Sequence, residues 1–481
     1  MSSNRRDFLR NTLLGTGMLA TGLVSHAAPV EMEASASRQK KAPKQRFNMC
    51  GYAAPKLDKV RIGFVGLGQR GPGAVERMSF IEGVEIAGLC DQYGDRVEKV
   101  QARLEKQGLP RAKSYSGSKE AWKAMCENPD IDLIYICTPW ALHTPMAVYA
   151  MEQGKHAAVE VPAANTIDEC WQLVETSERT RKHCMMLENC CYDFFELLTL
   201  NMARQGFFGE IIHGEGAYIH DLRGHNFQKD GYAEMWRLKE NYRNGSLYPT
   251  HGLGPICQIM NINRGDQMEY LSSMSSADFQ MADMANELAA KDSFYSEFAG
   301  KKYRGNMNTT TIRTFKGRTI VVQHDVTSPR PYSRIHLVSG TKGVASKWPT
   351  PARIATSHAW LKDEEMKQLE EQYTPEIVKK IGEMAKKVGG HGGMDFMMDW
   401  RLVDCLRNGL PLDQDVYDAA LWTSIAPLSE KSVANRSNSV DVPDFTNGAW
   451  KTNVPVELTL KGGGTTGVKE KKSSDSKQLG I

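Results

Sequence analysis

Hydrophobic residues gather first into short continuous runs at 60–65, 84–90, 133–137 and 156–160. Runs of this length, rich in Val, Ile and Leu, predict strands buried on both faces. Between them lie stretches of helical spacing at 71–78, 96–107, 118–128 and 145–153. Strands alternating with helices of this length predict a parallel sheet covered on both sides. Past residue 183 the pattern changes to longer, alternating candidate strands at 210–219, 268–274, 308–315, 318–326 and 333–339. Lys316-Gly317 is a turn signal, so 308–326 is expected to be a hairpin. The second half therefore predicts a mainly antiparallel sheet with one covered face. Charged helical sequence follows at 361–388, then helical blocks at 394–407 and 415–429.

The ends of the chain have a different texture. Arg5-Arg6-Asp7-Phe8-Leu9-Arg10 precedes an apolar run at 13–24 and then Ala27-Ala28. A basic start, a short apolar core and small residues describe an export signal, and the paired arginines resemble the twin-arginine type. About 12 residues are too few to span a bilayer of roughly 30 Å as a helix, so no stable membrane span is expected. The expected organisation is an export signal at 1–28, a flexible linker at 29–58, a nucleotide-binding domain at 59–182, a substrate domain at 183–455 and a disordered tail at 456–481. The expected location is the periplasm.

Charge and composition exclude several classes. The 481 residues carry 60 Lys+Arg against 57 Asp+Glu, a formal +3, and the export segment holds most of that excess. A nearly neutral body lacks the basic field that displaces counterions from nucleic acid. With 41% hydrophobic and 24% charged residues, the chain is neither disordered nor fibrous. The ten cysteines contain no C-x-x-C pair, and several lie in apolar runs, as buried thiols do. Cys190-Cys191 is read as packing. His220-Asp221 and His225 form no compact ligand pattern, so no metal site is expected.

The chemistry begins at Gly66-Leu67-Gly68-Gln69-Arg70-Gly71, directly after the first strand. G-x-G-x-x-G alone is weak, but here it opens a helix, and Asp91 follows Gly71 by 20 residues at the end of the next strand. Together these are the dinucleotide fingerprint of a Rossmann domain. Gly66 permits the tight turn, Gly68 admits the pyrophosphate and Gly71 lets helix and strand pack closely. The helix N-terminus supplies donors to the phosphates. Asp91 is expected to bind the ribose hydroxyls and repel a 2′-phosphate, which favours NAD over NADP. Gln69 and Arg70 lie on the loop beside the pyrophosphate.

Ligands bind beyond the carboxyl ends of parallel strands, which points to Thr138-Pro139-Trp140-Ala141-Leu142-His143 and Glu160-Val161-Pro162. These segments resemble the glucose-fructose oxidoreductase / inositol dehydrogenase (Gfo/Idh/MocA) family, in which they line the nicotinamide. The usual Glu-Lys-Pro is here Glu160-Val161-Pro162, so the family's common catalytic lysine is absent.

The second half carries a narrower resemblance. The runs Leu187-Glu188-Asn189-Cys190-Cys191-Tyr192-Asp193, Met235-Trp236-Arg237-Leu238, Tyr248-Pro249-Thr250-His251, Pro331-Tyr332-Ser333-Arg334 and Gly389-Gly390-His391-Gly392-Gly393 resemble glycoside hydrolase family 109, the NAD-dependent α-N-acetylgalactosaminidases. The resemblance implies an α/β Rossmann domain with a parallel sheet plus an α+β second domain on a mainly antiparallel sheet. It implies a retaining glycosidase in which C3 of the sugar is oxidised, the aglycone leaves by elimination, water adds and the ketone is reduced, with NAD bound throughout. By the same pattern Gln69, Arg70, Asp91, Trp140, Ala141, Leu142, His143, Glu160, Val161 and Asn189 contact the cofactor. Tyr218, Arg237, Tyr248, Pro249, Thr250, His251 and Tyr332 contact the sugar.

His251 is the first choice for proton transfer at the C3 hydroxyl, because an unperturbed imidazole titrates near neutrality. Tyr192 and Tyr248 compete for the C2 proton, and Glu160 is an auxiliary acid/base. His391 has no assigned role. Expected partners are a small-molecule or glycan substrate, the twin-arginine export machinery and further copies of the chain, with no nucleic acid. The alternatives are a net NAD-dependent sugar oxidoreductase, which would accumulate reduced cofactor, and a non-catalytic sugar sensor, which would turn nothing over.

Overall fold

The structure is a computed structural model and describes residues 43–229, 234–457 and 459–469. The expected export signal at 1–28 lies outside the described residues.

Six strands form the first sheet: β1 Val60–Val65, β2 Val84–Cys90, β3 Lys113–Tyr115, β4 Leu133–Ile136, β5 His156–Val159 and β6 Cys184–Met186. Their order is β3-β2-β1-β4-β5-β6 and every pairing is parallel. β4, β5 and β6 are buried along their whole length, which explains their unbroken apolar runs. The order reverses between β1 and β4, and such a switch point opens a crevice at the strand ends. The sequence pattern overlooked β3 and β6, whose three residues each are too short for a period to register.

The second sheet has eight strands: β7 Ile211–Ile219, β8 Met268–Ser275, β9 Asn308–Thr314, β10 Thr319–Asp325, β11 Leu337–Gly340, β12 Val344–Ser346, β13 Arg353–Ala355 and β14 Val440–Asp441. Their order is β13-β12-β11-β7-β10-β9-β8-β14. β9 and β10 form the expected hairpin, but β10 also pairs parallel with β7, so the sheet is mixed. The strand expected at 333–339 shortens to β11 because Ile335 and His336 adopt φ of +59° and +49°, which an extended strand excludes.

Two glycines bring the covering helix Thr250–Ile259 onto β7. A Cβ at Gly216 would lie 2.2 Å from the Gly252 carbonyl oxygen, and one at Gly252 would lie 2.2 Å from the Ala217 amide nitrogen. Only this bare backbone contact lets the helix's first turn sit beside Tyr218.

Two segments expected to be loose are anchored. Within the 29–58 linker, Met49 is buried, Gln45 Nε2 and the Met49 amide both donate to the Tyr417 hydroxyl, and the Arg46 amide donates to Glu178. Within the 456–481 tail, residues 459–469 form a strap. Gly464 and Thr466 amides donate to the Asp404 carboxylate, Trp400 Nε1 donates to the Thr466 carbonyl, and Val468 bridges to Ile81. Composition marks such segments as polar, but long-range acceptors such as Glu178 and Asp404 hold them. Among the described residues no helix is long and apolar enough to cross a membrane. All ten cysteines are free thiols, and eight are buried.

Candidate active site

The crevice at the switch point is a cleft of about 800 Å³, within the usual range for a ligand site. Its cofactor end begins where β1 stops. Gly66 has φ +88°, and a Cβ there would lie 2.7 Å from the Cys137 backbone, so glycine alone lets the ends of β1 and β4 close together. Gly68, Gln69 and Arg70 line the cleft, and the helix Gly71–Ser79 starts behind them. Asp91 lines it too, with Oδ2 accepting from the Leu67 amide at 2.8 Å and Oδ1 from the Tyr93 amide at 3.0 Å. Arg96 stands 3.5 Å from Asp91 Oδ2. A carboxylate fixed by two amides of neighbouring turns beside a glycine cradle is the donor and acceptor set a dinucleotide requires, and the residues present fit NAD.

The ends of β4 and β5 supply the next wall. Trp140, Leu142, Glu160 and Val161 face the cleft. Glu160 Oε1 accepts from Arg70 Nε at 3.1 Å, and the Glu160 charge, outweighing the cost of burial, holds the guanidinium's pKa well above its usual value. His143 spans the two strand ends, with Nδ1 2.7 Å from the Pro162 carbonyl oxygen and Nε2 2.7 Å from that of Thr138. It also lines the cleft, and since both nitrogens are occupied it meets a ligand there through its ring carbons only.

An aromatic cluster adjoins the cleft through Trp140 and Tyr248, whose rings stack at 5.7 Å; its other members, Tyr218, His251 and Tyr332, are not among the residues lining the cleft. Tyr248 packs on Tyr218 at 4.8 Å and edge-on to His251 at 4.8 Å, and Tyr218 meets His251 at 5.2 Å. Tyr332 closes the cluster against His220 at 5.1 Å. Arg237 lies over Trp236 and Trp140. Burial pushes the Tyr218 phenol up to about 12 and that of Tyr248 well above its usual value, so both remain protonated donors.

His251 has a partner that sequence reading did not assign. Its Nδ1 lies 2.7 Å from Oε1 of Glu188, a carboxylate with no exposed surface at the end of β6. The carboxylate only accepts, so Nδ1 carries the proton and Nε2 is left as the basic nitrogen. No described residue hydrogen-bonds Nε2. Burial works to raise the Glu188 pKa, but the charge and hydrogen bond of His251 prevail and hold it below the ordinary carboxylate value.

A second imidazole–carboxylate pair flanks the cofactor end. His391 Nδ1 lies 2.9 Å from Oδ2 of buried Asp395 and 3.4 Å from Arg70 Nη1, while its side chain is 53% exposed. It sits on five consecutive residues of positive φ, Gly389 to Gly393, a backbone that only a glycine-flanked loop tolerates. Burial would raise the Asp395 pKa, but Arg77, His391 and Arg70 hold it well below the ordinary range.

Five expected contacts fall elsewhere. Tyr192 is buried, donates to Asp413 Oδ2 at 3.3 Å and does not line the cleft, because the turn after β6 aims it at the helix Met394–Asn408 side of the core. Asn189 is buried and donates to Asp395. Ala141 points outward from the turn Trp140–Leu142. Pro249 and Thr250 are buried as the N-cap and first residue of their helix, where they place His251 without lining the cleft.

A family model described as "Oxidoreductase family, NAD-binding Rossmann fold" matches residues 60–188, and one described as "Glycosyl hydrolase 109, C-terminal domain" matches residues 192–452. "Glycosyl hydrolase family 109 protein 1" of Bacteroides fragilis is 50% identical over 430 residues, covering 85% of this chain and 90% of its own. The chain belongs to glycosyl hydrolase family 109. A further relative, "Alpha-N-acetylgalactosaminidase" of Bacteroides fragilis, is 51% identical over 417 residues, covering 85% of this chain and 97% of its own. Among solved structures, an oxidoreductase domain protein from Kribbella flavida superposes with TM-score 0.60 at 16% identity, over 81% of this chain and 100% of its own. Levoglucosan dehydrogenase in complex with NADH and L-sorbose gives the same TM-score, identity and coverage. These two likenesses concern the fold. The cofactor of this family 109 chain is NAD, held by its Rossmann domain.

Proposed function

We propose that the chain hydrolyses terminal α-linked N-acetylgalactosamine with retention. The carrying observation is the Glu188-anchored His251 beside the NAD cleft, in a chain 51% identical to an α-N-acetylgalactosaminidase. NAD, held by Gly66, Gly68, Arg70 and Asp91, would supply a reversible hydride acceptor for C3 of the sugar.

The side chains do the rest. His251 Nε2 takes the proton of the C3 hydroxyl as the ketone forms and gives it back on reduction. Glu188 keeps the Nδ1–H tautomer and offsets the imidazolium charge, the role a buried carboxylate plays behind a catalytic histidine. Protonated Tyr218 and Tyr248 donate to sugar oxygens, and Arg237 holds the sugar against Trp140 and Trp236. Val161 places an apolar side chain where the wider family has an ammonium, which leaves proton movement to imidazole and carboxylate. The C3 ketone acidifies the C2 proton, which passes to water in the cleft as the C1–oxygen bond breaks; water then adds its hydroxyl at C1, C2 regains a proton from solvent, and the C3 ketone is reduced. Protonation of the leaving oxygen is assigned to His391, which is exposed on its glycine loop, backed by Asp395 and 3.4 Å from the cleft-lining Arg70. Glu160, ion-paired to Arg70, serves better to fix that guanidinium than to give up a proton.

Hydrolysis of nitrophenyl α-N-acetylgalactosaminide in heavy water tests the cycle. Deuterium at C2 of the released sugar, with no net reduced nicotinamide, is the expected result. Unlabelled sugar overturns the elimination, and accumulating reduced cofactor marks a net oxidoreductase. The Arg5-Arg6 signal supports export by the twin-arginine route to the periplasm, which cell fractionation tests. Self-association of the chain is part of the same proposal, and sedimentation tests it.

A further inference from the structure

The turn that carries Glu188 also carries a thiol into the same place. Glu188 caps the short turn Asn189–Tyr192, and the Cys190 amide donates to Glu188 Oε1 at 3.1 Å. Glu188, Cys190 and His251 each present one oxygen, sulfur or nitrogen atom, and the three atoms lie within 4.8 Å of one another. The second oxygen, Glu188 Oε2, is buried and makes no hydrogen bond of ordinary geometry, with the Thr250 hydroxyl standing near the carboxylate. The Cys190 thiol is buried and donates to Asn189 Oδ1 at 3.5 Å.

We propose that Glu188, Cys190 and His251 form a binding site for a zinc-class divalent cation whose occupancy switches the enzyme off. One carboxylate oxygen, one thiolate and one imidazole are the mixed ligand set zinc takes, at about 2.0–2.3 Å from the metal, with a fourth position left for water. Bringing three atoms from within 4.8 Å onto one ion asks for sub-ångström shifts. Two anionic ligands match the charge of the ion inside a buried site.

The inhibition follows from proton placement. The metal takes the Nδ1 lone pair, so the neutral imidazole keeps its single proton on Nε2. The nitrogen that must accept the sugar proton then has no lone pair to offer. The Cys190 thiol releases one proton to solvent as the sulfur–metal bond forms, and no oxidant is required.

This inference goes beyond the glycosidase reading, and only its inhibition arm rests on that reading. Zinc ion is titrated into the NAD-loaded full chain, followed by hydrolysis and reversal with a chelator, and cobalt(II) is titrated with absorbance recording. The parent should lose activity reversibly and show a thiolate-to-cobalt charge-transfer band. Cys190→Ala should abolish the band and raise the inhibitory zinc concentration about tenfold or more, with basal activity retained. Cys190→Ser covers the case in which alanine disturbs packing, and Cys191→Ala, a buried thiol one residue away, should behave as the parent. A parent without the cobalt band, a band that survives in Cys190→Ser, or equal zinc sensitivity in parent and Cys190→Ala overturns the site. If the chain hydrolyses nothing yet shows the Cys190-dependent band, the site stands and the glycosidase reading fails.

Discussion

The two imidazole–carboxylate pairs differ in everything except chemistry. Glu188–His251 joins the end of β6 to the first turn of a helix pressed onto β7, and the His251 side chain is 12% exposed. Asp395–His391 joins a buried helix to a glycine loop, and the His391 side chain is 53% exposed. The first pair is fixed from both sides, as a base must be when it meets the same sugar hydroxyl each turnover. The second has one buried partner and one that is half exposed to solvent. On the proposed reading, the buried pair meets the constant sugar and the exposed pair the variable aglycone.

This contrast can be broken at several points. The largest effect belongs to His251→Ala, with turnover expected to fall roughly 10³-fold while NAD copurifies unchanged. Near-normal turnover would remove His251 from the reaction and leave the contrast without its rigid member. Glu188→Gln should cost about 10²-fold in kcat with little change in KM, because the amide no longer enforces the tautomer. A loss carried mainly by KM would make Glu188 a packing residue.

His391→Ala sharpens the comparison through the leaving group. Its loss should be roughly tenfold on nitrophenyl glycosides and larger on unactivated sugars, whose alkoxides need the proton more. A loss independent of the aglycone contradicts the assignment.

The smallest effect on catalysis comes from Glu196, apart from both pairs. It is paired with Arg334 at 2.7 Å and Lys347 at 2.9 Å. Burial would raise its pKa, but those two cations lower it from 4.5 to about 2. Its folded-state pKa is depressed, so its contribution is present above pH about 4.5 and lost as pH falls toward about 2. Glu196→Gln should lower stability at neutral pH by about 3 kcal/mol in denaturant titrations, and the deficit should shrink in acid. Turnover at neutral pH should stay near that of the parent. A variant as stable as the parent at neutral pH would deny the pairing.

The sequence by itself determined the nucleotide half. Gly66, Gly68, Gly71 and Asp91 lie within one strand–turn–helix–strand unit, where local geometry follows from glycine freedom and a short apolar period. Family likeness added His251, Tyr218, Tyr248, Arg237 and Tyr332. Tertiary structure alone decided the partners. Glu188 sits 63 residues from His251, and Asp395 lies 325 residues from Arg70. The end of β6, a three-residue strand, was the available pointer to Glu188, by the same strand-end rule that singled out Glu160. Tyr192 and Asn189 share that turn but face the protein interior, because successive residues of a tight turn point in different directions. The strap at 459–469 and the anchored segment at 43–58 lack any periodic signal, since their order comes from buried acceptors on distant helices. Periodicity records how a residue meets its neighbours in the chain. A buried charge finds its counterion only when the chain has closed around it.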